Sequence, residues 1–221
     1  MQASSHQWAR GVLLNAWRSV FGGEPGLPEL QYAQAVAMLE SSYGMGWKGA
    51  GVGSNNWGAI QSGHPPCGGN AFLYTDTHPN ADGTSTPYSI CFRRYASPEA
   101  GAADVLRVLY TNKRSVVLDA AQEGNLFNAA KAQHDTGYYE GFGATVQERV
   151  QHYADVLERN VKEIAAANNE PVAITMAGPP PGGGWLRSAL LVAGATLAVV
   201  GVGAAAFVLS DPDARARLFG G

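Results

Sequence analysis

Cysteine is scarce in this chain of 221 residues: Cys67 and Cys91 are the only two, and neither stands in a CxxC or Cys/His spacing that holds zinc. They flank a stretch rich in Gly, Pro, Asn and Thr, and two arrangements fit. One is a disulfide closing the base of that stretch in an oxidising compartment, and the other is two unpaired small side chains. Charge is scarce as well, at 15% of residues, with a formal net charge of -3. No lysine or arginine stripe runs through the chain, so the electrostatic footprint of a nucleic-acid-binding protein is missing. His64, His78 and His134 have no regular spacing and no carboxylate companion in sequence, so no metal is expected, nor any cofactor. The opening residues, MQASSHQWARGVLLNAW, lack the charged start, apolar core and small-residue cleavage site of a secretory signal, and export is expected to use another route. No internal repeat is present.

Long apolar runs are missing too, with one exception. From Ala189 to Leu209 the sequence reads ALLVAGATLAVVGVGAAAFVL. As a helix this run is about 30 Å long, enough to cross a bilayer core, so a transmembrane helix is expected over 185–210. Trp185 and Arg187 stand at one end as interface anchors, with Arg215 and Arg217 beyond the other. Asp211 and Asp213 share that short tail (211–221), so the charge bias toward a cytoplasmic or inner C-terminus is small. Upstream, AGPPPGGGW belongs to a Pro and Gly linker, placed at 168–184, that has no means of forming a core.

The preceding 167 residues are expected to form one domain, mainly α, with a small inserted β-hairpin. Trp8, Val12, Ala16 and Val20 recur at helical spacing between Ser4 and Phe21. A second helix runs from about Pro28 to Tyr43. Ser97-Pro98 is an N-cap and first-turn pair for a third helix, and a short one follows at about Leu126 to Gln133, stopping near Gly137. Thr145 with Glu148 makes a capping box for the last, whose buried stripe is Val146, Val150, Tyr153, Leu157, Val161 and Ile164. Between Gln61 and Tyr95 the helical period disappears. AFLYTDTH and PYSICFRRY read there as two strands joined by PNADG.

One carboxylate stands out. Glu40 follows Ala33, Val36 and Ala37 at three- and four-residue spacing, so it lies on or beside the apolar face of the second helix. Partial burial of a carboxyl group disfavours its ionised form, as a general acid at neutral pH requires. A glutamate turned to solvent at a helix end fits the same spacing. Trp47 and Trp57 bracket the glycine-rich loop beyond it, as sugar-stacking walls or as its anchors.

Four segments, LPELQYAQAVAMLESSYG, SNNWGAI, FRRYASPEAGAADVLRVL and AAKAQHDTGYY, in that order, resemble the glucosaminidase family of peptidoglycan hydrolases, glycoside hydrolase family seventy-three of the lysozyme-like superfamily. The resemblance spans about residues 5 to 160 and implies an α+β lysozyme-like fold. It puts the catalytic acid on Glu40, in LESSYG. Asn55, Asn56 and Gly58 then shape the floor of a glycan groove, with Tyr43 and Trp57 beside them, and a functional aromatic falls on Tyr138 or Tyr139. The family's second carboxylate has no exact match; Asp76 is nearest, with Asp82 behind it.

The implied activity is cleavage of β-1,4 glycosidic bonds in the bacterial cell-wall glycan strand, as an N-acetylglucosaminidase or a muramidase or lytic transglycosylase-like enzyme. The implied partners are peptidoglycan, a lipid membrane through residues 189–209, and other virion or envelope proteins. A C-terminal span behind a large domain favours a virion-associated enzyme that meets the wall from outside at phage entry, with its catalytic domain facing the wall. An inactive glycan-binding or assembly module and a secreted cell-wall-targeting effector are the alternatives.

Overall fold

The computed structural model describes residues 3–79, 85–141 and 143–177, apart from the side chains of 3, 4, 76–79 and 85. Among the described residues, six α-helices and three β-strands follow in the order α1 (Ala3–Phe21), α2 (Leu27–Ser41), β1 (Gln61–Gly63), β2 (Ala71–Pro79), β3 (Ser85–Arg93), α3 (Pro98–Tyr110), α4 (Ser115–Gln122), α5 (Leu126–Asp135) and α6 (Val146–Asn168).

The centre of the fold is α2. Its residues are buried on every side, from Pro28 to Leu39, as in a helix that lies inside a core. It packs against α1, α3, α4 and α6. Several of its polar groups bond to other segments, as burial demands. Gln34 Nε2 donates to the carbonyl of His6 at 2.9 Å, and Tyr110 Oη donates to that of Glu29 at 2.7 Å. Gln31 donates to the carbonyl of Pro171 and accepts from the amide of Ala173. Those last bonds bring 170–177 back onto the domain, and Thr175 bridges to Asn125 with Ile174 fully buried. This stretch, assigned by composition to the linker, is packed structure as far as the description extends.

The sheet has the order β1-β3-β2, antiparallel throughout. The expected hairpin therefore makes up two strands of a three-stranded sheet. Its added strand, Gln61–Gly63, is exposed at all three residues, so no alternation of polarity marks it. Phe72, Ile90 and Phe92 form a small core of their own, with Trp47, Tyr74 and Tyr88 packed against it. A disulfide joins Cys67 to Cys91 and ties the loop before β2 to the central strand.

Helix ends follow local chemistry. Ser97 accepts from the amide of Ala100 at the start of α3, and the Thr145–Glu148 capping box opens α6. The short helix α4 was not anticipated from the sequence. Among the described residues no helix is long and apolar enough to cross a membrane. The apolar run at 189–209, the Pro/Gly linker from residue 178 and the tail lie outside the described residues.

Candidate active site

Glu40 is the penultimate residue of α2 and is half-buried where that helix emerges from the core. The chain then turns sharply: Ser42 and Tyr43 take positive φ of 50° and 62°, and Gly44 takes 77°. Such values disfavour side chains with a Cβ, so the turn must be held by its surroundings. Ser41 Oγ donates to the carbonyl of Trp57 at 2.7 Å and accepts from the amide of Gly44 at 2.8 Å. Tyr43 is buried, and its hydroxyl meets Nδ1 of the buried His6 at 2.7 Å. His6 Nε2 lies 3.0 Å from Glu163 on α6. The end of the acid-bearing helix is thus anchored on α1, α6 and the following loop.

Tyrosines surround the carboxyl group. Tyr153 of α6 donates its hydroxyl to Glu40 Oε1 at 2.8 Å. Tyr139 stacks on Tyr153 with ring centroids 3.7 Å apart and planes 13° apart, and its hydroxyl donates to the carbonyl of Ala130 at 3.0 Å. Tyr138 donates to the carbonyl of Gly58 at 2.8 Å, with the Arg114 guanidinium over its ring. Burial first, and the neighbouring Glu40 second, push the hydroxyls of Tyr138 and Tyr153 well above the ordinary tyrosine range. Tyr139 is raised chiefly by burial, with Asp135 and Glu40 adding to it. All three therefore stay protonated and act as donors, and a donor aimed at a carboxylate stabilises the charge left when its proton departs.

The loop 54–60 is built by its own side chains. Asn56 is fully buried: its Nδ2 donates to the carbonyls of Ile60 and Arg93 at 2.9 and 3.0 Å, and its Oδ1 accepts from the amide of Ile60 at 2.8 Å. Asn55, half-buried with φ 52°, donates to the carbonyl of Tyr95. Gly58 has no room for a side chain, since an added Cβ would lie 2.4 Å from Val105 Cγ2 and 2.8 Å from Tyr138 Oη. Trp57 is wholly enclosed between Tyr43 and Trp8.

Several expectations change here. Tyr43 and Asn56, expected in the groove, and Trp57, expected as a stacking wall or an anchor of the loop, are buried and hold the loop in shape, because aromatic and amide groups beside a tight turn pack inside the domain first. Trp47 is half-buried, donates to the carbonyl of Asn56 at 2.8 Å and packs on Phe72, Tyr74 and Phe92. Tyr138 and Tyr139 have separate tasks: Tyr138 reaches the loop, and Tyr139 backs Tyr153. Tyr153 itself was read only as part of a buried stripe. Its one distinguishing signal is a hydroxyl in an otherwise aliphatic row.

Asp76 stands on β2, opposite Tyr88 of β3. Its side chain, and the whole of Asp82, lie outside the described residues. Among the described residues no group of three or more His, Cys, Asp or Glu is arranged to hold a metal ion.

A domain of helices around a buried α2, with a small antiparallel sheet, is a fold shared with a peptidoglycan hydrolase. The crystal structure of a peptidoglycan hydrolase mutant from Sphingomonas sp. A1 matches with a TM-score of 0.55 and 19% identity, over 76% of this chain and 99% of that one. The catalytic domain of the autolysin Auto from Listeria monocytogenes matches with a TM-score of 0.49 and 12% identity, over 76% of this chain and 86% of that one. No family model matches the sequence, and no curated protein does.

Proposed function

We propose that this chain is a glycosidase of the bacterial cell wall, cleaving β-1,4 bonds of the peptidoglycan glycan strand with Glu40 as general acid. The observation that carries the reading is the hydrogen bond from Tyr153 to Glu40 at the end of a buried helix, inside a ring of neutral tyrosines. Leaving-group departure needs a proton delivered at the glycosidic oxygen, and the acid that gives it is left negative. The fold shared with a peptidoglycan hydrolase supports the substrate class.

Asp76 is the second carboxylate in this reading, acting as base or nucleophile from β2. Its place on β2, within the hairpin where the resembled family carries its second carboxylate, supports the role, and substrate assistance by an N-acetyl group takes its place if Asp76→Asn keeps wild-type turnover. The domain is tethered to a membrane through 189–209, a run whose length and lack of charge support that part. It belongs to a virion and meets the wall at entry, with virion proteins as its neighbours.

Purified cell walls test the chemistry. Full-length protein is expected to clear turbidity, and Glu40→Gln to abolish clearing. Equal activity of the two removes Glu40 from the reaction, and a folded but inactive wild type favours a glycan-binding module. Mass spectrometry of the released fragments identifies the bond cut and separates hydrolysis from an anhydro product. Resistance of full-length protein to alkaline extraction from vesicles tests the tether, and its presence in purified phage particles tests the setting.

A further inference from the structure

Tyr153 is the last link of a longer chain of hydrogen bonds. Tyr32, in the middle of α2 and fully buried, donates its hydroxyl to Gln133 Oε1. Gln133, fully buried on α5, donates from Nε2 to Tyr153 Oη at 3.2 Å. Tyr153 donates to Glu40 Oε1 at 2.8 Å. The relay leaves α2 at Tyr32, passes through α5 and α6, and returns to α2 about two turns further on, at the carboxyl group.

Its direction has a physical cause. A glutamine amide fits its site either way round, and the reverse arrangement is the alternative. With Gln133 turned, Nε2 would face Tyr32 and Oε1 would face Tyr153. Tyr153 would then give its one proton to Gln133 and meet Glu40 only as an acceptor, which requires the carboxyl proton to sit on Oε1. At the far end Tyr32 would accept from Gln133, and its own proton would point into the core. Gln133 is the partner of that hydroxyl among the described residues, and the Tyr32 side chain has no contact with solvent. A buried donor left without an acceptor is what folded proteins avoid. Burial also keeps Tyr32 protonated, so its hydrogen must go somewhere. The forward direction is the one that satisfies every hydroxyl.

We propose that Tyr32 and Gln133 are positioning residues that oblige Tyr153 to donate to Glu40 Oε1, and thereby confine the acid's transferable proton to Oε2. The proposal rests on the reading of Glu40 as general acid. A carboxylic acid has two oxygens, and only the one turned to the scissile bond is useful; a proton shared between Oε1 and Tyr153 is held away from the reaction. When the proton leaves Oε2, the new charge finds a donor already in place, with no reorganisation needed. Among the described residues, Tyr32 on α2, Tyr138 and Tyr139 beyond α5, and Tyr153 on α6 sense Glu40, and burial holds all four neutral.

The test uses the full-length protein, with Tyr153→Phe, Tyr32→Phe and Glu40→Gln compared on purified peptidoglycan. It also follows the Glu40 carboxyl by carbon NMR during a pH titration, a measurement that needs no activity. Loss of the Tyr153 donor is expected to lower kcat about tenfold with KM little changed, the effect of one hydrogen bond to a charged group. A general acid works only while protonated, and the lost donor had favoured its ionised form. The alkaline limb of the kcat profile, and the carboxyl titration with it, should therefore move up by about one pH unit. Tyr32→Phe, which removes a hydroxyl bonded to Gln133 and not to Glu40, should move both the same way by a smaller amount. A folded Tyr32→Phe with wild-type kcat and wild-type titration overturns the relay, as does a Tyr153→Phe titration that stays or moves down. Lowered thermal stability without either shift also overturns it, since that is a structural role alone. Full activity of Glu40→Gln defeats the acid assignment instead, and the NMR titration still judges the relay.

Discussion

The two carboxylates of the proposed site are carried by very different parts of the molecule. Glu40 ends a helix buried on every side, its hydrogen-bond partner comes from a second helix, and that partner is backed by the stacked ring of Tyr139. Asp76 stands on a strand of a three-stranded sheet whose own core is Phe72, Ile90 and Phe92. A hairpin with so small a core is marginal without help. Help comes from the Cys67–Cys91 disulfide, from Asn56 holding the carbonyl of Arg93, and from the Arg93–Asp104 ion pair at 2.8 Å, whose carboxylate also accepts from Tyr95. The helical half supplies a preorganised acid through long-range packing, while the sheet is held to it by a few discrete ties.

The largest expected effect separates the two carboxylates by chemistry. Glu40→Gln should lower turnover on peptidoglycan by at least about a hundredfold, the usual range for a lost general acid, with thermal stability near wild type. Asp76→Asn should cost about tenfold or more if it acts as base, and the two rates measured side by side break the comparison if they are equal.

Next comes the staple. Replacing both Cys67 and Cys91 by alanine should remove up to about 3.5 kcal/mol, the loop-entropy cost for a separation of 24 residues. Hydrogen exchange should speed up in β1 to β3 before α2, and equal acceleration of both would make the sheet and helices one cooperative unit.

The seam between the halves is tested by Gly101→Ala. A Cβ there would lie 1.8 Å from the Asn55 carbonyl oxygen, so the loop at 54–60 must move, at a cost of about 1–3 kcal/mol. Denaturant unfolding reads the loss, and activity should fall with it because the loop holds the Tyr138 hydroxyl through Gly58. The smallest change is Thr145→Ala at the start of α6, about 1 kcal/mol for a lost cap. Its effect on kcat should be slight, since Tyr153 lies two turns inside the helix.

Local signals account for what was legible beforehand. The caps of α3 and α6 and the apolar stripe of α1 are written in neighbouring residues, and the elements begin and end close to where those signals stand. The spacing of Ala33, Val36, Ala37 and Glu40 likewise put the acid beside an apolar face. Strand β1 left no such trace, because Gln61–Gly63 is a strand only by virtue of pairing with Phe92 and Cys91. Trp57 stayed open between two readings for the opposite reason. An aromatic side chain in a glycine-rich loop suits a sugar, and only the arrival of Trp8 and Tyr43 from elsewhere in the chain encloses it.

The sequence by itself determined the helical periods, the caps, the break in period that becomes the sheet, and the acid at the end of α2, because each depends on residues within a few positions of one another. Tertiary structure alone decided what that acid touches. Tyr32, Gln133 and Tyr153 are far apart in the chain and carry no shared motif, and packing of α2 and α5 against α6 brings their polar groups into line on Glu40. Hydrogen-bond direction depends on every partner at once, so no local stretch of residues encodes it.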